Sequence, residues 1–85
     1  MNWGVRVAKY AAKNLKKIPS KDQARILEAL REIAENPFSG DIEKIAGEAH
    51  VWRRRVGNYR ILFELEMKEK LVMVHDITRR TSATY

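Results

Sequence analysis

The sequence predicts an α+β fold in which a short N-terminal strand and a helical hairpin precede a three-stranded antiparallel sheet. Apolar residues recur at helical spacing in the first half of the chain and alternate with polar residues in the second half. Two helices joined by a short link form a hairpin, and a sheet needs an apolar layer on one face. The predicted order is therefore β-α-α-β-β-β, with the helical hairpin packed on one face of the sheet.

The first half of the chain contains signals for one strand and two helices. Residues 2–7 alternate and predict a short strand, and the apolar stripe over residues 8–18 predicts a first helix. Ser20 and Gln23 have the spacing of a capping box, which predicts that a second helix begins at Ser20. The pair Asn36-Pro37 is expected to end that helix.

The second half of the chain changes to the period of strands. Three strands are predicted, from Val51 to Val56, from Tyr59 to Glu66 and from Leu71 to Thr78. Gly57-Asn58 separates the first two by the length of a tight hairpin turn. A second turn is predicted at residues 68–70, and residues 38–41 are also predicted to form a turn.

Length and composition predict one small domain over residues 1–85. This length excludes a two-domain enzyme with a cofactor domain of its own. The chain has no Cys, so it has no disulfide or thiolate metal site, which suits a reducing cytosol. No stretch approaches the roughly 20 apolar residues of a membrane span, and the N-terminal residues lack the apolar core of a secretory signal. We therefore expect a cytoplasmic protein without membrane contact.

The net charge of +6 is distributed unevenly along the chain. Residues 1–21 carry six basic residues and no acid, residues 22–50 have a net charge of −4, and residues 51–85 have a net charge of +4. We expect the two basic segments to converge on one surface that binds a polyanion, either nucleic acid or an acidic protein. The candidate contacts of the first helix are Lys13, Lys16 and Lys17, which alternatively only solvate its outer face.

Three arginines are predicted to meet on the face of the sheet opposite the helices. Side chains alternate along a strand, so Arg53 and Arg55 share one face while Trp52 and Val56 share the other. In the next strand Arg60 alternates with the apolar residues Tyr59 and Ile61. If those residues face the core, Arg60 lies on the same open face as Arg53 and Arg55. Like charges repel unless an anion lies between them, and guanidinium groups bind phosphate oxygens in pairs. The expected ligand is therefore a phosphate.

Other interpretations of the strand residues remain open at this point. The arginines could instead pair with carboxylates on neighbouring strands, which are Glu64, Glu66 and Asp76. Arg54 is expected on the packed side, where its guanidinium must reach solvent at an edge. Trp3 and Trp52 lie on the apolar sides of their strands, so we expect them to pack in the core rather than stack on bases.

Together these motifs resemble the RelE/ParE superfamily, the toxin halves of type II toxin–antitoxin modules. The resemblance runs nearly end to end. It includes a lysine-rich first helix, a second helix ending at Asn36-Pro37, the segment 52–60 with the pattern R-x-R-V-G-x-Y-R, and the tail from Arg79 to Tyr85. It implies the RelE fold, which is similar to that of microbial ribonucleases.

The resemblance implies one of two activities. RelE-like toxins are mRNA interferases that cut transcripts in the ribosomal A site, whereas ParE-like toxins inhibit DNA gyrase and are not nucleases. The chain has the full set of RelE-like catalytic positions, which are Arg53, Arg55, Arg60, Arg79 and Tyr85. Further RNA contacts are expected at Lys13, Lys16, Lys17, Arg54 and Arg80. The RelE branch is therefore favoured over ParE and over a plain nucleic-acid-binding module.

In the implied reaction the ribose 2′-OH attacks the adjacent phosphate, without a metal or a small-molecule cofactor. Arg55 and Arg60 are assigned to the phosphate, Arg79 to the leaving group and Tyr85 to stacking on a base. The implied partners are a ribosome with mRNA in the A site and a cognate antitoxin. The antitoxin is expected to have an acidic, partly disordered segment that folds across the basic surface.

The resemblance leaves the general base of this reaction unassigned. Arginine, with a pKa above about 12, does not accept a proton at neutral pH. The histidine that the family has before its tail is replaced by Thr78. Glu48 and His50 are candidates, although both also suit a solvated loop. His75 lies among the apolar residues of the last strand and is expected to be structural.

Overall fold

The computed structural model describes residues 2–79, which form two helices and a five-stranded sheet. The strands are β1 (Gly4–Val7), β2 (Ile42–Lys44), β3 (Val51–Val56), β4 (Tyr59–Glu66) and β5 (Leu71–Arg79). The helices are α1 (Lys9–Lys16) and α2 (Ser20–Glu35). The predicted α+β class is confirmed. Neither helix in residues 2–79 is long and apolar enough to span a membrane.

The sheet has five strands, one more than the sequence predicted, and it contains a parallel strand pair as well as antiparallel ones. Its strand order is β1-β5-β4-β3-β2. β2 pairs with β3 at one edge, where only a turn and a loop were expected. β1 pairs with β5 at the other edge and is parallel to it, whereas the remaining pairs are antiparallel. A parallel pair needs a long connection between its strands, and here both helices and three strands lie between β1 and β5.

The core lies between the two helices and one face of the sheet. Its buried apolar residues are Ala11, Ile18, Ile26, Ala29, Leu30, Ile33, Tyr59, Ile61, Phe63, Leu65, Val72, Val74 and Ile77. Each large side chain in this set contributes about 1.5–3 kcal/mol through removal of apolar surface from water. Trp3 and Trp52 pack against the cluster while partly buried, which confirms their predicted place in the core.

The second helix begins at the predicted residue but without the predicted capping box. Pro19 is the residue that precedes the helix, and no side chain caps the helix N-terminus. The amide of Gln23 instead donates to the Ile18 carbonyl at 2.9 Å. Because Ser20 is already helical, its hydroxyl is one position too late to act as the cap. The capping-box prediction is therefore wrong, although the predicted start of the helix is right.

A β-bulge in β5 explains why its buried residues do not alternate strictly. The partners of consecutive β4 residues shift from Asp76 to Val74, which leaves His75 as the extra residue. Val74 and Ile77 are therefore both buried although they are three residues apart. His75 is exposed, with its Nε2 2.8 Å from Glu64 Oε1. The bulge thus leaves His75 on the surface rather than among the apolar residues, and its structural role stays a prediction.

Candidate functional site

Three arginines converge on the open face of the sheet, as the strand period predicted. Arg55 of β3 lies directly opposite Arg60 of β4, and Arg53 is two residues before Arg55 on the same face. All three line one small cleft of about 30 Å³, here called the arginine cleft. The neighbouring Trp52 and Tyr59 pack towards the core on the other face of the sheet, which holds the arginines in this orientation.

Two carboxylates that sequence reasoning did not assign share the arginine cleft. Glu43 of β2 lies opposite Arg53, whose Nη2 donates to Glu43 Oε1 at 3.0 Å. Asp41 Oδ2 lies 3.3 Å from Arg55 Nε, and the Asp41 carbonyl accepts the backbone N–H of Arg55 at 2.9 Å. Arg60 forms no ion pair with another residue of 2–79. The cleft therefore contains three cations and two anions, with Arg60 as the cation not neutralised by a neighbour.

The carboxylates that the sequence offered as partners of the arginines are engaged elsewhere. Glu64 pairs with His75, and Asp76 accepts a hydrogen bond from the Asn14 amide at 3.0 Å. The alternative interpretation, in which the arginines pair with carboxylates, therefore holds for Arg53 and Arg55, but with Glu43 and Asp41 as the partners. The sequence does show acidic and apolar residues alternating at 41–43. Three residues are too few to establish the period of a strand, so this pattern does not predict β2 or the partners of the arginines.

Arg54 lies on the helix-covered face and takes no part in the arginine cleft. It is 8% exposed, and its Nη2 donates to Glu32 Oε1 of α2 at 2.6 Å. Its Nη1 donates to the Ser39 carbonyl, and its Nε has no hydrogen-bond partner among the described residues. A buried and paired guanidinium offers little surface to a ligand, so the RNA contact of Arg54 stays an untested prediction and Arg54 is left out of the contacts proposed below. Gly40 lies against this guanidinium, where a Cβ would collide with it.

The lysines of α1 do not reach the arginine cleft. Ala11 places α1 in the core on the helix-covered face, and Lys13 and Lys16 are exposed on that helix. Neither lysine lines the arginine cleft. Their proposed contacts with RNA remain predictions.

A second concave site, here called the end groove, lies where β4 begins and β5 ends. It has a volume of about 390 Å³, and its lining includes Lys17 and Arg79. Arg79 lies opposite Tyr59 in the strand register, and it lines this groove rather than the arginine cleft. Arg80 and Tyr85, which the sequence also assigns to the site, lie outside the described residues.

The candidate bases named from the sequence are not placed in the arginine cleft. Glu48 and His50 lie in the exposed segment between β2 and β3. Neither lines the cleft, whereas Glu43 and Asp41 do. The side chains in this cleft that can accept a proton are therefore the two carboxylates of the β2 segment.

The comparison with known protein families agrees with this arrangement of a helical hairpin on one face of the sheet and arginines on the other. Residues 5–83 match the profile of a family described as ParE toxin of type II toxin-antitoxin system, parDE. The chain therefore belongs to this family of type II toxin–antitoxin toxins.

Several relatives carry RelE names. The chain is 26% identical over 86 residues to a Methanocaldococcus jannaschii protein named RelE1, covering 98% of this chain and 96% of that one. It is similar to an archaeal RelE–RelB complex from Pyrococcus horikoshii OT3, with a TM-score of 0.85, 25% identity, and coverage of 98% and 100%. Isolated E. coli RelE shares the fold at a TM-score of 0.83 and 18% identity, over 95% and 87% of the chains. The resemblance to the RelE/ParE superfamily is confirmed.

Proposed function

We propose that this toxin is a ribosome-dependent mRNA endoribonuclease that cleaves by attack of a ribose 2′-OH on the adjacent phosphate. The observation that carries the proposal is the convergence of Arg53, Arg55 and Arg60, together with the carboxylate of Glu43, in one cleft. The RelE names of its relatives support the same activity.

In this proposal the scissile phosphate binds between Arg55 and Arg60. These two guanidinium groups extend from directly opposed positions, where like charges repel each other. A phosphate between them replaces that repulsion with charge-assisted hydrogen bonds. Negative charge on the phosphate oxygens increases as the 2′-oxygen attacks, so fixed cations bind the transition state more tightly than the substrate.

The proton acceptor in this proposal is Glu43. A glutamate side chain accepts a proton at neutral pH, which arginine does not. Glu43 lies opposite Arg53 on β2, and its carboxylate accepts a hydrogen bond from Arg53 Nη2 at 3.0 Å. Arg53 thus positions the base while Arg55 and Arg60 hold the phosphate. A positioned general base contributes about 10²–10⁴-fold to the rate of such a step.

The remaining assignments concern the leaving group and the bound RNA. Arg79 lies opposite Tyr59, the residue before Arg60, and in this proposal it stabilises the developing charge on the leaving 5′-oxygen. Tyr85 is proposed to stack on a base. The wider RNA contacts that we propose are Lys13, Lys16, Lys17 and Arg80.

The proposed partners are a ribosome carrying mRNA in its A site and a cognate antitoxin. In the P. horikoshii structure the similar RelE chain is in a complex with RelB. The net charge of +6 on this chain favours an antitoxin segment rich in acidic residues.

The activity is tested by adding the purified chain to translating ribosomes and mapping new transcript ends. We expect cuts within the codon in the A site. The variants R60A and R79A are expected to bind ribosomes but to lose most cleavage, because they lack charge at the phosphate and at the leaving group. Transcripts that stay intact with the wild-type chain would refute the proposal.

A second candidate function is inhibition of DNA gyrase, because the matching family profile is that of ParE toxins. The measurement is supercoiling of relaxed plasmid by gyrase in the presence of excess chain. Inhibited supercoiling together with intact transcripts would replace the nuclease proposal with this one. Normal supercoiling would exclude the gyrase function.

A further inference from the structure

We propose that Asp41 is a built-in competitor for the phosphate site, which pairs with Arg55 in the free chain and leaves it when an RNA phosphate binds. The inference rests on the proposed function and concerns the regulation of the same cleft. Asp41 Oδ2 lies 3.3 Å from Arg55 Nε, on a cation that the proposed scissile phosphate needs. Carboxylate and phosphate present the same kind of charged oxygen to a guanidinium group, so the two anions compete for one partner.

The arginine cleft has little free space beside its two carboxylates. Its volume of about 30 Å³ admits a few water molecules at most, whereas a phosphate group has a phosphorus atom and four oxygens. The lining consists of Asp41, Glu43, Arg53, Arg55 and Arg60. In the proposed reaction the arginines bind and position groups in this cleft. A phosphate between Arg55 and Arg60 therefore gains room when one of the carboxylates moves away.

Of the two carboxylates, Asp41 is the one in competition for Arg55, and its contact is the looser. Glu43 accepts a hydrogen bond from Arg53 Nη2 at 3.0 Å and belongs to a strand that pairs with β3. The Asp41–Arg55 separation of 3.3 Å is longer than the roughly 2.7–2.9 Å of a charge-assisted hydrogen bond. Both side chains of this pair are more than half exposed, so water already competes for the contact. The carboxylate that yields to a phosphate is therefore that of Asp41.

The backbone keeps Asp41 beside the cleft whether or not its side chain is paired. Its carbonyl accepts the backbone N–H of Arg55 at 2.9 Å, directly before β2 begins. Rotation of the carboxylate towards solvent therefore leaves β2 in the sheet and frees the guanidinium of Arg55. Because the side chain is not needed to hold this segment, removal of its charge tests competition rather than folding.

The competitor also sets which RNA the cleft accepts. Arg55 lies directly opposite Arg60, and the Asp41 carboxylate relieves the repulsion between these like charges in the free chain. An incoming phosphate must replace this anion, which lowers the affinity of the cleft for every isolated phosphate group. RNA that the ribosome holds next to the cleft has a high effective concentration and displaces the carboxylate more readily. Asp41 thus favours RNA positioned on a ribosome over free RNA.

The test is a titration of the isotope-labelled full-length chain with inorganic phosphate, followed by the Nε–H signal of Arg55 in NMR spectra. We expect phosphate to shift this signal saturably, and D41N to bind phosphate at least about threefold more tightly than the wild type. E43Q removes an equal charge from the same cleft but frees Arg53 instead, so its gain should stay below about twofold. E69Q makes the same change in the turn between β4 and β5, far from the cleft, and should leave the affinity within about 1.5-fold.

A second titration tests the selectivity against free nucleic acid. Its probe is a short 2′-deoxy oligonucleotide, which lacks the attacking 2′-OH and therefore is not cut. D41N should bind this oligonucleotide at least about threefold more tightly than the wild type, whereas E69Q should not. An unchanged affinity of D41N for the oligonucleotide would overturn the proposed selectivity.

Two results of the phosphate titration would overturn the competitor. One is equal affinity of D41N and the wild type, and the other is an equal gain in D41N and E43Q, which would indicate a general effect of charge. Transcript cleavage is measured separately, so the two proposals can fail independently. A chain that cuts transcripts, with no gain of phosphate affinity in D41N, refutes the competitor alone. A gain in D41N together with intact transcripts supports the competitor and refutes the nuclease.

Discussion

Glu43 is the residue on which the proposed RNA cleavage most depends, because its carboxylate is the proposed proton acceptor. The arginines can bind phosphate and stabilise charge, but they cannot take the proton of the 2′-OH. Glu43 and Asp41 enter the same cleft and carry the same charge, which makes them a matched pair for separating catalysis from electrostatics. Glu43 is bonded to Arg53, across from it on β2, whereas Asp41 lies before that strand and contacts Arg55.

We predict that E43Q lowers the rate of transcript cleavage by about 10²–10⁴-fold, because the amide cannot accept a proton. The measurement is single-turnover cleavage on ribosomes at saturating toxin. D41N removes the same charge from the same cleft and should cost less than about tenfold. Equal losses for both variants would refute the assignment of the base.

Position 40 favours glycine over any other residue for two reasons. Its φ of +81° lies in the left-handed region, and an added Cβ would meet the guanidinium of Arg54. Gly47 has a similar φ of +84° but nothing within 4 Å of its Cβ position. A substitution at Gly47 therefore measures the free-energy cost of the left-handed backbone conformation without the cost of a collision.

We predict that G40A lowers the free energy of unfolding by about 2–4 kcal/mol, measured by urea denaturation. G47A should lower it by only about 1–2 kcal/mol, which is the cost of left-handed backbone alone. The difference between the two measures how tightly Arg54 is held. Equal values would show that the guanidinium moves away at little cost.

The positions of the arginines could be predicted from the sequence, but their partners could not. The alternation of a strand depends only on local geometry, so it places Arg53, Arg55 and Arg60 on one face from their spacing alone. The contact between Glu43 and Arg53 depends on how β2 pairs with β3, which is a property of the folded sheet. The partner of Arg54 likewise depends on how α2 packs on β3.

Among the elements, the three long strands were predictable and β2 was not. β3, β4 and β5 begin at the predicted residues because each contains several periods of alternation. β2 has three residues, too few to show a period, and it is held in the sheet by β3 alone. The capping box failed because Pro19, with its fixed backbone angle, occupies the position before the helix.

The pair of Arg54 and Glu32 joins α2 to β3, and its two halves differ in burial. The Arg54 side chain is 10% exposed, whereas that of Glu32 is 50% exposed. Removal of Glu32 therefore leaves a buried guanidinium without its counter-ion, but removal of Arg54 leaves a carboxylate that water can solvate. The contribution of this contact to stability is consequently asymmetric.

We predict that E32Q lowers the free energy of unfolding by about 2 kcal/mol or more. R54M keeps most of the side-chain volume and should cost about 1 kcal/mol or less. Thermal and urea unfolding of both variants provide the measurement. A larger loss for R54M than for E32Q would contradict the proposed asymmetry.

Among residues 2–79, the basic side chains do not gather at one site. The arginine cleft lies on the open face, Lys13 and Lys16 lie on the helix side, and Lys17 and Arg79 meet at the end of the sheet. The charge pattern of the sequence predicts that the chain is basic in two segments. It does not indicate on which side of a sheet each segment lies, because that depends on how the helices pack.

The central claim is that the arginine cleft promotes attack of a ribose 2′-OH on the adjacent phosphate. The chemical groups at the 3′ and 5′ ends of the RNA fragments test this claim most directly. Transcripts are cut by the chain on translating ribosomes, and the termini of both fragments are identified by mass spectrometry. We predict a 2′,3′-cyclic phosphate on one fragment and a 5′-OH on the other, with both products lost in R60A. Uncut transcripts, or fragments ending in a 3′-OH and a 5′-phosphate, would contradict the claim.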